Sequence, residues 1–299
     1  MNAIQLSNLT KYYGKSRGIL NLNLDVKEGE FFGFIGPNGA GKSTTIRTLL
    51  GLITPSSGQA KIFDETIRQR NPQIRSHIGY LPSEAVFYRG MNVKDLLKLS
   101  ADLHHKNCSA EREILCRRLQ LDVNRKVDEL SFGNRKKVAI VSALQHQPKL
   151  LILDEPTSGL DPLMQREFFH IIRERNEQGA TVFLSSHVLS EIQRNCTRAA
   201  IIREGRIIAC DRVEALSKTN AKRISVQGQV SLDSLEEIRD LKENDGIFSF
   251  LYGGDIHRLL ETLSAGTITD LSISDPDLDE IFLRSSCGDL ERGEHLVFF

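Results

Sequence analysis

The chain holds 299 residues, 40% of them apolar, enough for one large domain and a smaller one. Its 39 Lys and Arg balance 39 Asp and Glu, so no overall field draws it to nucleic acid or to an anionic membrane, and binding has to come from local sites. Five scattered cysteines (Cys108, Cys116, Cys196, Cys210, Cys287) outside any CxxC spacing fit reduced thiols in a cytosolic protein without a metal cluster; MNAIQLSNLT lacks a signal-like core, and the longest apolar runs fall far short of the roughly 20 residues a bilayer span requires.

LNLNLDV at 20–26 alternates, with Leu20, Leu22, Leu24 and Val26 on one face, as in a half-buried strand. FFGFI at 31–35 reads as a buried strand, GPNGAG as the turn after it, and KSTTIRTLL as a helix that Gly51 ends. Asn92 and Ser109 are placed to cap two helices with apolar pairs Leu96–Leu97 and Ile114–Leu115, so an all-helical stretch is expected from about 92 to 146, closed by Pro148. Within it LSFGNRKKVAI at 130–140 sets Ser131 and Gly133 before three consecutive cations, a pattern that fits either an anion site at a helix start or a capped helix with a solvated basic face. LLILDEP at 150–156 is a strand of a buried sheet. Asp161 and Pro162 open a helix through Phe168, Ile171 and Ile172 that Gly179 ends, ATVFLSSH at 180–187 is the next strand, and 199–210 reads as a hairpin turning at Glu204 and Gly205.

Strands alternating with helices argue for a parallel α/β sheet with the helical stretch inserted. Beyond about Leu216 come short strands KRISVQG, IFSFLYGG and ITDLSIS around helices near 231–242 and 255–264, which fits a small α+β domain ending in DPDLDEIFLR. The expected domains are 1–216, with a helical subdomain at about 84–146, and 217–299.

GPNGAGKS at 36–43 matches GxxxxGK[ST] between a strand and a helix, the context that gives the motif its meaning. The expected nucleotide-binding stretch includes Gly36, Asn38, Gly39, Ala40, Gly41, Lys42, Ser43 and Thr44. Its amides can cradle phosphate oxygens, Lys42 can reach the β- and γ-phosphates, and the Ser43 hydroxyl can ligand Mg²⁺. The guanine-reading NKxD is missing, since NRKK at 134–137 lacks its Asp, which argues against a GTPase. At the end of LLILDEP, Asp154 can hold Mg²⁺ through water and Glu155 can polarise an attacking water, the plainer role for Glu155 being a salt-bridged strand end. His187 ends VFLSSH and is expected near the γ-phosphate, the plainer role being a structural histidine.

In this order GPNGAGKS, LSFGN, LLILDEPTSGLD and His187 resemble the ATP-binding cassette family, and the chain looks like an ABC transporter ATPase subunit over about residues 3–216. The resemblance implies a P-loop NTPase cassette with a β-rich N-terminal subdomain and an inserted helical subdomain. It implies that Tyr13, in KYYG, stacks on adenine and that Ser158 to Asp161 form a D-loop at a dimer interface. It also makes LSFGN the signature loop, whose Ser131 and Gly133 meet the γ-phosphate of an ATP held by a second cassette. Phe132 and Asn134 depart from the usual LSGGQ. Ser83 stands where a Gln is expected after IGYL, and Glu84 is the expected substitute in contact with Mg²⁺. The C-terminal region is similar, through its placement and DLDEIFL, to the accessory domain of drug, sodium, antimicrobial-peptide and polysaccharide exporters, with a packing or dimer-stabilising role.

The resemblance therefore implies an ATPase using ATP and Mg²⁺ at the cytoplasmic face of the cell membrane. It would power a separate integral-membrane permease, exporting drugs, peptides or ions, and pair with a second cassette as homodimer or heterodimer, without nucleic acid. Phe87, Tyr88 and Met91 would form the groove for a permease helix, unless they pack inward. A soluble cassette acting as a conformational clamp in translation or DNA maintenance would usually carry two cassettes or a long coiled-coil insertion. A module that holds ATP without turnover is opposed by Glu155.

Overall fold

A long antiparallel hairpin opens the chain: β1 (Asn2–Tyr13) turns through Gly14, φ 59°, into β2 (Ser16–Lys27). Leu22, Leu24 and Val26 face inward as expected, but Ile19 replaces Leu20 in the core. Asn21 takes a left-handed φ of 50°, and the register shifts between Leu9 and Lys11, so an irregularity flips the alternation once. In this computed structural model the described residues are 1–67, 72–217, 222–232 and 234–274; the expected DPDLDEIFLR ending and Cys287 lie outside them. The chain divides into two units, residues 1–213 and 214–299.

The first unit continues through β3 (Phe31–Ile35), α1 (Lys42–Leu49), β4 (Ser57–Ile62), β5 (Glu65–Thr66), α2 (Pro72–Arg75) and β6 (Ile78–Leu81). Three helices follow, α3 (Val93–Leu103), α4 (Ser109–Arg118) and α5 (Phe132–Leu144). Then come β7 (Leu150–Asp154), α6 (Pro162–Glu177), β8 (Thr181–Ser186), α7 (Leu189–Asn195), β9 (Arg198–Arg203) and β10 (Arg206–Arg212), with α8 (Val213–Ser217) at the unit boundary. One sheet has the order β2-β1-β4-β5 and the other β10-β9-β3-β8-β7-β6. The second is parallel except for its antiparallel edge strand β10. Every residue of β3, β7 and β8 is buried, as continuous apolar runs covered on both faces require. Ile46 and Leu49 of α1 join Ile4, Leu22, Phe34, Leu150 and Phe183 in one core between the two sheets.

The helical stretch is interrupted rather than continuous, with a 3₁₀ turn at Val127–Glu129 and a lone bridge between Asn92 and Lys126. Asn92 holds the N-cap position of α3 without a side-chain capping bond. Ser109 is not the cap of α4: Cys108 takes that position, and the Ser109 hydroxyl donates to Asn107 Oδ1 at 2.7 Å. Arg118 of α4 donates to Glu167 of α6 at 2.6 Å and also to Glu174, while Arg175 of α6 pairs with Glu111 of α4. These partly buried pairs tether the insertion to the main sheet's flanking helix.

In the second unit β11 (Lys222–Gln229), β12 (Ile238–Asn244), β13 (Ile247–Tyr252), α9 (Ile256–Ser264) and β14 (Thr267–Ser274) form an antiparallel sheet of order β12-β13-β11-β14 with one helix. Ile224, Val226, Phe250 and Tyr252 pack with Leu259 and Leu263 of α9, which Asp255 caps through His257 N at 2.7 Å. Among the described residues the helix expected near 231–242 does not form. Its second half is the edge strand β12, and left-handed Glu237 (φ 66°) and Asp240 (φ 52°) are incompatible with a helix there.

Candidate functional site

Parallel β3, β7 and β8 end on the same edge of the main sheet, and each hands over a polar residue there. After β3, the loop closes on glycines that cannot be replaced freely. A Cβ on Gly36 would sit 2.2 Å from Ile202 O, and Gly41, the N-cap of α1, has φ 111°. Lys42, the first residue of α1, is 6% exposed. Its Nζ donates to Gly36 O at 2.6 Å and Pro37 O at 3.2 Å, and lies 3.2 Å from Glu155 Oε1.

After β7, Asp154 is 2% exposed. Burial pushes its carboxyl above the usual range, against hydrogen bonds from Ser185 Oγ to Oδ1 at 3.0 Å and from Ser43 Oγ to Oδ2 at 3.1 Å. Glu155 has φ 47°, an uncommon conformation for a side-chain-bearing residue, held by Glu155 N donating to Ser185 O at 2.9 Å. His187 Nδ1–H donates to Glu155 Oε2 at 2.7 Å. Glu155 Oε1 is buried and receives no directed hydrogen bond, with only the Lys42 ammonium alongside. Strand-end strain and an undersatisfied carboxylate oxygen are features that concentrate where chemistry occurs.

One cavity of about 300 Å³ is lined by Tyr13, Arg17, Gly18, Pro37, Asn38, Gly39, Gly41, Lys42, Ser43, Thr44, Ser83 and Glu155. The structure thus brings the loop, Glu155 and Tyr13 to one place, with Tyr13 46% exposed and the Lys11 ammonium 5.5 Å over its ring. Ser43 and Asp154 offer hard oxygen donors side by side, which fits Mg²⁺. Among the described residues no cluster of three or more His, Cys, Asp or Glu could hold a metal.

Of the expected site residues, Gly36, Ala40, Glu84, Ser131, Gly133, Asp154, Asp161 and His187 are not in the lining of that cavity. Ser131 caps α5, its Oγ accepting from Asn134 N at 3.3 Å, and Asp161 caps α6, accepting from Leu163 N and Met164 N at 3.0 Å each. Gly133 lies so close to the Gly159 backbone that a Cβ would reach 2.7 Å from its carbonyl oxygen. The Phe132 ring lies on Gly159, which has φ 81° and no Cβ to collide with it. Ser83 lines the first cavity, while the chain leaves β6 at Leu81 and Glu84, the residue expected in contact with Mg²⁺, lines a second cavity of about 770 Å³. Glu84 shares that second cavity with Phe87, Arg89, Asp128, Phe132 and Arg135, while Tyr88 is 75% exposed.

The run Arg135–Lys136–Lys137 is not a solvated basic face throughout, since Lys136 is 1% exposed. A signal was available in the spacing. Lys136 shares a helical stripe with Ala139, Ile140 and Ala143, all buried. Arg17 and Ser185 were also missed, and as single polar residues in strands they carry no distinguishing pattern.

Residues 19–158 match the family described as ABC transporter. The bacitracin transport ATP-binding protein BcrA of Bacillus licheniformis is 40% identical over 229 residues, covering 75% of this chain and 74% of its own. A solved ATP-binding subunit of an ABC transporter superposes with TM-score 0.68 at 30% identity, over 72% of this chain and 92% of that one. The dimeric structure of a bacterial ABC transporter cassette gives TM-score 0.65 at 25% identity, over 70% and 98% of the two chains.

Proposed function

This chain belongs to the ABC transporter family and is its ATP-binding, ATP-hydrolysing cassette, and from that premise we propose that it powers an exporter through a separate membrane permease. No helix among the described residues is long and apolar enough to cross a membrane. In this reading the permease is the membrane-spanning part and the cassette is peripheral to it at the cytoplasmic face. The second cavity, with Phe87 in its wall and Tyr88 at the surface, is the groove for the permease. The second unit is an accessory domain.

The observation that carries the reading is the convergence of Lys42, Asp154, Glu155 and His187 at one sheet edge. ATP lies along the loop with its adenine on Tyr13, and its phosphates compete with Glu155 for the Lys42 ammonium. As Lys42 turns to the γ-phosphate, Glu155 Oε1 is released as the base that accepts a proton from water, while His187 holds Oε2 and so fixes the carboxylate's aim. Ser43 and Asp154 are the residues that would hold Mg²⁺, which would supply charge neutralisation at the phosphate oxygens. Ser131, Gly133 and Asp161 act on the nucleotide of a second cassette in a head-to-tail pair, which is why they stand apart from their own chain's cavity.

Glu155→Gln tests this reading. The variant retains Mg-ATP binding and loses roughly 10² to 10⁴ in turnover, the usual contribution of a general base. Near-normal hydrolysis would overturn the assignment.

A further inference from the structure

The inward stripe of α5 is apolar apart from Lys136, which at 1% exposed is among the largest fully buried side chains. Burying an ammonium is costly unless its donors are all used. Here Nζ donates to Pro82 O at 2.9 Å, Ser83 O at 3.0 Å and Glu155 O at 3.0 Å. Three carbonyl acceptors require three N–H groups, which the charged ammonium has and the neutral amine lacks.

The acceptors tie together segments distant in sequence. Pro82 and Ser83 follow β6, and Ser83 lines the nucleotide cavity; Glu155 follows β7. Glu155 is therefore gripped on both sides of its strained φ of 47°, its N–H by Ser185 O and its carbonyl by Lys136. Residues in such conformations persist only when their surroundings over-determine them.

We propose that Lys136 is a positioning residue that couples the helix capped by Ser131 to the backbone of Glu155, and so sets the aim of the hydrolytic carboxylate. The inference rests on the reading of Glu155 as the base. In a head-to-tail pair Ser131 faces the partner's nucleotide, whereas Lys136, about 1.4 turns along the same helix, grips the Glu155 of its own chain. Engagement of one site thus reaches the carboxylate of the other through a single side chain. The charged groups facing the ammonium are Asp154 and Glu155 at the end of β7, with Lys42 beyond Glu155. Burial pulls the Lys136 ammonium down to about 8 while those two acids resist, so its third donor is lost as the pH rises through that value.

The test uses the full-length chain and three variants, Lys136→Gln, Lys136→Met and Lys136→Arg, with thermal unfolding, binding of a fluorescent ATP analogue and kcat measured on each. The Gln and Met variants keep nucleotide affinity within about threefold while kcat falls roughly 10- to 100-fold, the size of effect that misaimed groups produce. Arg restores much of kcat, and its kcat stays level above pH 8, where the wild type declines. If Met fails to fold, Gln and Arg carry the test. Unchanged kcat in Gln, parallel loss of affinity and kcat, or superimposable pH profiles for wild type and Arg would each sink the proposal. Glu155→Gln in the same assay separates the two ideas: if it still turns over, the base is misassigned, and if it is dead while Lys136→Gln is normal, only the coupling fails.

Discussion

Asp154 and Ser131 both end an element in the cassette, yet their surroundings differ. Asp154 is 2% exposed and takes hydroxyl bonds from Ser43 and Ser185, whereas Ser131 lies at the surface and its hydroxyl serves its own helix. Around Asp154 the neighbours Lys42, Glu155 and His187 are locked to one another by parallel strands, so the phosphate side is preorganised within one chain. Around Ser131 the loop is locally complete as a cap and does not line the cavity beside Lys42. A network closed within one chain is preorganised to meet a ligand, whereas a satisfied, exposed cap acts on one only if a second surface brings it.

That contrast can be broken most sharply at the closed end, where Glu155→Gln is expected to cost the roughly 10² to 10⁴ in kcat of a general base and leave nucleotide binding intact. At the open end, Ser131→Arg should retain binding of a fluorescent ATP analogue to the single chain and abolish ATP-dependent dimerisation, with about a hundredfold loss of hydrolysis, the scale of a lost oxyanion donor. Size-exclusion chromatography of Glu155→Gln with and without Ser131→Arg reads this directly, and a dimer that survives the Arg would mean Ser131 is only a cap. Tyr13→Ala probes the rim between the two regions. Losing a stacked base costs about 1 to 3 kcal/mol, or roughly 5- to 150-fold in nucleotide Kd, and unchanged affinity would remove Tyr13 from the site. The smallest effect is expected at Glu84→Ala. Its carboxylate lies with the second cavity, so ATPase activity and the Mg²⁺ concentration for half-maximal turnover should stay within about twofold. A marked rise in the Mg²⁺ requirement would restore Glu84 as a metal contact.

Elements with strong local signals are legible in the sequence. The glycine loop before α1, the Asp161–Pro162 start of α6 and the continuous apolar runs of β3, β7 and β8 each carry a local turn, cap or hydropathy signal. Where one tertiary contact outweighs the local preference, the sequence misled. SLDSLEEIRDL has helical spacing, yet its second half pairs with β13 as an edge strand. Leu20 gave way to Ile19 because an irregularity at Asn21 reverses the faces of β2, and nothing in the apolar pattern marks such an irregularity.

The sequence by itself determined a phosphate-binding loop, an acidic strand end and a histidine-ended strand, because backbone geometry and phosphate chemistry select those residue types, and their order carried the family resemblance. Only the tertiary structure decided which of two adjacent residues, Ser83 or Glu84, faces the cavity, and that one cation of Arg135–Lys136–Lys137 is buried under Glu155. Side-chain direction after a strand end, and the partners of a long flexible cation, depend on segments over 50 residues apart in Pro82 and Lys136, so no local window contains them.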